Sequence, residues 1–91
     1  RKSASERLAT FFLDLLARRE KMTGKVHSEV DLPMSRSDIA DYLGLTKETV
    51  SRVLASLKGK RLIRLAALNR IEVLDRDALR ALAEGMSGED H

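Results

Sequence analysis

Residues 36–55, RSDIADYLGLTKETVSRVLA, decide the fold. Two short amphipathic segments flank one glycine. Ile39, Ala40 and Leu43 are expected to form the core face of the first segment, and Val50 and Val53 that of the second. Ala40 is small enough for two helices to cross closely at the steep angle this pattern uses. Gly44 takes positive φ at the turn without a Cβ penalty, Leu45 plugs the corner, and Thr46 caps the second helix. The spacing predicts a helix-turn-helix.

At about 100° per residue, Val50, Val53, Leu54 and Leu57 gather on one side of the second helix. Glu48, Ser51, Arg52 and Ala55 gather on the other. Glu48 and Arg52 stand i,i+4, and two readings compete for them. An exposed helix ion pair would be worth about 0.3–0.5 kcal/mol. Base readout would set the Arg guanidinium on guanine O6/N7 and the Glu carboxylate on cytosine N4. On the outer face of such a helix, base readout is the favoured reading.

Working outward, Leu8, Phe11, Phe12, Leu15 and Leu16 recur at i, i+3, i+4, i+7, i+8, which predicts an amphipathic helix over 4–22. Ser3 or Ser5 caps its start, and Gly24 lies just past its end. Val30 and Leu32 alternate with polar neighbours, giving a short strand around 29–32 that Pro33 ends. Ser35 followed by Asp38 makes a capping-box-like start for the helix-turn-helix. Tyr42 has two readings, a partly buried structural role or a hydroxyl offered to a phosphate, and the structural role is favoured. Beyond Leu57, Gly59 is the expected helix stop. Ile63/Leu65 and Ile71/Val73 supply the alternation of a hairpin at about 62–74, a wing behind the second motif helix. Asp75 caps a last helix carrying Ala78, Leu79 and Leu82, and residues 85–91 form a frayed polar tail. The class is mainly α with a small β-sheet, a winged helix-turn-helix in one domain over 1–91.

Ninety-one residues suffice for one small core. Cysteine is absent, so there is no disulfide framework and no thiolate metal site. His27 and His91 stand far apart without ligand-spaced partners and are assigned to the surface. No apolar run approaches the ~18 residues of a membrane span. A catalytic site has no motif to rest on, metal and cofactor sites are expected to be absent from this domain, and no membrane partner is expected.

The formal net charge of +3 is small, but its distribution is uneven. Residues 36–64 carry Arg36, Lys47, Arg52, Lys58, Lys60, Arg61 and Arg64 against Asp38, Asp41 and Glu48, a net +4. Residues 72–91 carry two arginines against six carboxylates, a net −4. Positive charge therefore concentrates on and just after the second motif helix, the footprint of a phosphate-facing surface. Arg36, Lys58, Lys60 and Arg61 are assigned to DNA phosphates, and Thr46 and Lys47 to bases or phosphates.

Glu48-Thr49-Val50-Ser51-Arg52, preceded by Asp38-Ile39-Ala40-Asp41-Tyr42-Leu43-Gly44-Leu45-Thr46, closely resembles the Crp/Fnr superfamily of bacterial transcription regulators. Glu6-Arg7-Leu8-Ala9, Phe12-Leu13-Asp14-Leu15-Leu16 and Leu32-Pro33-Met34-Ser35-Arg36 extend the resemblance over residues 4–83. The E-x-x-S-R element is similar to the Fnr/FixK-like branch; the Crp branch usually has Gly where Ser51 stands. The resemblance implies a carboxy-terminal, cytoplasmic DNA-binding domain, with the amino-terminal sensor domain and long dimerisation helix of the family outside this sequence. It implies Glu48, Ser51 and Arg52 as base readers of a TTGA-like half-site within an inverted repeat. It also implies a homodimer for the full-length protein and RNA polymerase as a partner. Lys47 departs from the small apolar residue common in Fnr, which bears on the outermost bases of the half-site.

The alternatives are a winged helix of another family, such as the MarR type, and a winged helix serving only as a protein-interaction module. An interaction module would leave the outer face of the second motif helix apolar or acidic. Here that face carries Lys47, Glu48, Ser51 and Arg52.

Overall fold

A computed structural model describes residues 2–86. The order is α1 (Ala4–Thr23), β1 (Glu29–Asp31), α2 (Arg36–Leu43), α3 (Lys47–Gly59), β2 (Ile63–Ala67), β3 (Arg70–Val73) and α4 (Arg76–Ala83). This is the expected winged helix-turn-helix. Of the expected tail, residues 87–91, His91 among them, lie outside the described residues.

Local chemistry starts each helix. The Ser3 side chain accepts from the Glu6 N–H while Glu6 returns a bond to the Ser3 N–H, closing a complete capping box on α1. Ser35, Thr46 and Asp75 cap α2, α3 and α4, each accepting from the N–H three residues on. At α2 only the Ser35 half of the box forms.

One core joins the layers. Leu8, Phe12 and Leu16 of α1 are fully buried with Val50 and Leu57 of α3, Ile71 of β3 and Leu79 of α4. Leu15, Leu43 and Leu45 pack against this cluster from its edge. Leu43 is thus half-buried rather than central, because it ends α2 where the chain turns outward. Tyr42 departs further from expectation: its side is 67% exposed, although its ring lies 5.8 Å from that of Phe11.

The sheet order is β1-β3-β2, antiparallel throughout. Its inner face buries Val30, Ile63, Ile71 and Val73. Its outer face pairs charges across strands: Arg64 meets Glu72 at 2.7 Å and Arg70 meets Asp31 at 2.8 Å, each directly opposite in the register.

The helix ends give the clearest correction. In α2, Leu45 N–H bonds Ala40 C=O at 2.8 Å and Gly44 N–H bonds Asp41 C=O at 3.3 Å, with Gly44 at φ 71°. In α4 the same pair of bonds surrounds Gly85 at φ 73°. In α3, Leu62 N–H bonds Leu57 C=O and Arg61 N–H bonds Lys58 C=O, both at 3.0 Å, and the left-handed residue is Arg61 at φ 59°. Gly59 is not the stop; it is the last helical residue. Had Gly59 taken the left-handed position, Lys60 would follow it where an apolar contact with the last turn is needed. Ending at Arg61 puts Leu62 there instead, packed against the core. Core register outweighs the glycine preference.

Two further long-range contacts lock the helices. Arg7 Nη1 donates to the Leu43 carbonyl at 2.8 Å, so α1 satisfies an end carbonyl of α2 beside the turn. Arg76 forms two 2.8 Å bonds to the Glu20 carboxylate, joining the end of α1 to the start of α4. The His27 N–H adds a third at 2.9 Å. His27, expected at the surface, is half-buried, its ring 2.7 Å from the Thr23 hydroxyl.

Candidate nucleic-acid interface

Helix α3 sorts its residues cleanly. Val50, Val53, Leu54 and Leu57 are buried, whereas Lys47, Glu48, Arg52, Ala55 and Lys58 are exposed and Ser51 is half-buried. The helix is pinned by its apolar side against α1 and α2, so its outer side chains sit on a rigid mount. Thr46 anchors its first turn, accepting from Thr49 N–H at 3.1 Å and donating its hydroxyl to Thr49 Oγ1 at 2.9 Å.

Arg52 and Glu48 do not pair with each other. Instead Arg52 Nη2 donates to Thr49 Oγ1 at 3.3 Å, which leaves the rest of the guanidinium fork open to solvent. The ion-pair reading of Glu48–Arg52 is therefore set aside, since among the described residues Glu48 takes part in no ion pair. Thr49, passed over in the sequence, positions the arginine. Its spacing, one turn before Arg52 and three after Thr46, was the available signal.

Arg36, Lys47, Lys58, Lys60 and Arg61 are likewise free of ion pairs among the described residues. They form two groups. Lys47 and Arg52 stand on the first turns of α3, with Thr46 at its cap; Arg36 opens α2 and is half-buried. Lys58, Lys60 and Arg61 gather at the other end, a helix length of about 18 Å away at 1.5 Å per residue. Arg64, counted with the basic stretch in the sequence, is neutralised by Glu72.

A carboxylate with a shifted pKa lies away from this surface, at the end of α1. Glu20 is held at about 2 against an ordinary 4.5, chiefly by the Arg76 hydrogen bonds and then by the His27 N–H. An open groove of about 400 Å³ between α1 and α2, bordered by Phe11, Met34 and Tyr42, is lined by no residue of α3. Among the described residues no group of His, Cys, Asp and Glu is placed to hold a metal ion, and no helix is long and apolar enough to cross a membrane.

Residues 6–82 match the model of the Crp-like helix-turn-helix domain. Over 83 residues, 90% of this chain, the sequence is 53% identical to the nitrogen fixation regulation protein FixK of Azorhizobium caulinodans, covering 33% of that protein. Over 82 residues it is 49% identical to FixK of Rhizobium meliloti, covering 36% of it. The chain thus spans about a third of the length of these curated relatives. The structure of FixK2 from Bradyrhizobium japonicum superposes on 90% of this chain with a TM-score of 0.76 at 44% identity, over 39% of its own chain. The Thermus thermophilus catabolite activator protein superposes with a TM-score of 0.72 at 27% identity, covering 92% of this chain and 35% of its own.

Proposed function

The chain belongs to the Crp-like helix-turn-helix family, and from that premise we propose that it is the sequence-specific DNA-binding domain of a bacterial transcription regulator. One observation carries the reading. The outer face of α3 presents Lys47, Glu48, Ser51 and Arg52 on a helix whose opposite face is buried, with Arg52 held by Thr49 rather than spent on Glu48.

In this reading the first turns of α3 enter the major groove. Arg52 donates to guanine O6/N7, Glu48 accepts from cytosine N4, and Ser51 meets the edge between them, within a TTGA-like half-site. Thr46 and Lys47 lie at the groove entrance, on a base or on the phosphate rim. Arg36 serves the backbone on one side. Lys58, Lys60 and Arg61 serve it on the other, since 13 residues of helix exceed the groove's width of about 12 Å. Binding as a two-fold dimer in the full-length protein would set two such helices about 34–36 Å apart, one turn of DNA. A cytoplasmic location and contact with RNA polymerase belong to the same proposal. No catalytic step is assigned to the domain.

Titrating the 91-residue chain onto labelled duplexes tests this. Tighter binding to an inverted repeat of the half-site than to a scrambled duplex, weakening as salt rises, is expected. Equal affinity for the two duplexes would remove the base-reading assignment, and absence of binding to either would remove the DNA reading itself.

A further inference from the structure

Three side chains at i, i+3 and i+6 form one chain along the start of α3, where residues three apart are neighbours. The Thr46 hydroxyl donates to Thr49 Oγ1 at 2.9 Å, and Arg52 Nη2 donates to the same oxygen at 3.3 Å. Thr46 Oγ1 accepts in turn from the Thr49 N–H at 3.1 Å, so the helix cap holds both the backbone and the side chain of Thr49. A hydroxyl oxygen has two lone pairs. The cap takes one of those on Thr49 and the arginine takes the other. Thr49 is half-buried and Arg52 is exposed, so the fixed partner is the threonine and the held partner is the arginine.

The bond to Thr49 leaves the arginine able to read a base. A guanidinium carries five N–H groups in a planar fork. Two edges of that fork each present a parallel pair, Nη1 with Nη2 and Nε with Nη2. Nη2 contributes one hydrogen to each edge, and Thr49 engages only one of the two. A complete edge therefore remains for guanine O6 and N7. What the bond removes is the sweep of a long, rotamer-rich side chain. Freedom already given up in the unbound protein is not lost again on binding.

We propose that Thr49 is a positioning residue for base readout: its hydroxyl holds Arg52 in the guanine-reading pose and acts on sequence preference only through Arg52. This rests on the DNA-binding reading above. It concerns how sharply the guanine is selected, and it adds a specificity determinant that need not touch a base.

The test uses the 91-residue chain and two duplexes, one with the half-site guanine and one with adenine in its place. Thr49→Val keeps the shape and removes the hydroxyl, whereas Thr49→Ser keeps the hydroxyl. Thr49→Val should reduce the preference for guanine over adenine by about five-fold, within the worth of ordering one long side chain. Its affinity for the adenine duplex should move by less than about two-fold, and Thr49→Ser should stay within about two-fold of the parent on both duplexes. In an Arg52→Ala background, Thr49→Val should change neither affinity. A hydroxyl that only stabilised the helix, or that bonded a phosphate itself, would weaken both duplexes alike and go on doing so without Arg52. An undiminished guanine preference in Thr49→Val, a loss as large in Thr49→Ser, or an effect persisting in the Arg52→Ala background would each overturn the proposal and leave the base-reading assignment standing. Absence of any guanine preference in the unaltered chain would overturn that assignment and the proposal with it.

Discussion

Replacing Arg61 with glycine should make the protein more stable and a weaker DNA binder. Three helices end with the same pair of hydrogen bonds, and two of them place glycine at the left-handed residue, Gly44 at φ 71° and Gly85 at φ 73°. Arg61 holds φ 59° in the third. Left-handed backbone costs a residue with a Cβ roughly 1–2 kcal/mol. Glycine would relieve that, less about 0.5–1 kcal/mol for the greater freedom of the unfolded chain. The net gain is about 0.5–1 kcal/mol, which for a domain of this size raises Tm by about 3–6 °C. Losing one phosphate contact should lower the slope of log affinity against log salt by about 0.9. Arg61→Ala separates the two effects, because it removes the charge and keeps the backbone cost. It should show the same change in salt slope with no gain in Tm. Melting followed by circular dichroism and binding titrations across a salt series measure both. A Tm for Arg61→Gly at or below that of the parent would refute the backbone argument, and an unchanged salt slope would remove Arg61 from the DNA.

Glu20 governs acid stability: its folded value is about 2 against 4.5, so the stability it contributes is present above about pH 4.5 and is lost as pH falls from there toward 2. Glu20→Gln should flatten that part of a pH–Tm profile, and an unchanged profile would show that Arg76 and His27 do not hold the carboxylate. Lys47→Val places a small apolar group where it can meet a thymine methyl. It should sharpen the preference for thymine at the outer half-site base, whereas the unaltered chain tolerates other bases there; identical selection profiles for the two would refute this. Phe12→Ala, at a fully buried position, should cost about 3–5 kcal/mol, a large share of the roughly 5–15 kcal/mol that holds a small domain, and a loss under about 1 kcal/mol in chemical denaturation would refute this.

What was legible in the sequence follows from how local each signal is. Caps at Ser35, Thr46 and Asp75 bond to groups three residues away, and the apolar period of α1 and α3 repeats within two turns, so a short window contains both. Gly44 was legible because its motif supplies its own context. The contacts that lock the helices were not. Arg76 and Glu20 are 56 residues apart, Arg7 and Leu43 are 36 apart, and nothing in either arginine's neighbours distinguishes it from a solvated one. Gly59 misled for a related reason. The glycine preference is local, while the true end of α3 is set by Leu62 reaching the core. On the reading surface, the sequence indicated which side chains face outward but not what they touch. Glu48 and Arg52 have ion-pair spacing, and Thr49 takes the arginine instead. Arg64 counts toward the basic stretch in the sequence until strand pairing sets Glu72 opposite it.

The central claim is that the outer face of α3 reads bases through Arg52. Selection from a library of randomised duplexes, run in parallel with the unaltered chain and Arg52→Ala, tests it most directly. Arg52 is exposed and, among the described residues, bonds only Thr49, so the variant should keep the parent's Tm. The unaltered chain should enrich half-sites with a fixed guanine. Arg52→Ala should lose that guanine at a cost of about 1–3 kcal/mol per half-site while retaining salt-dependent binding. Enrichment of the same guanine by both proteins would contradict the account.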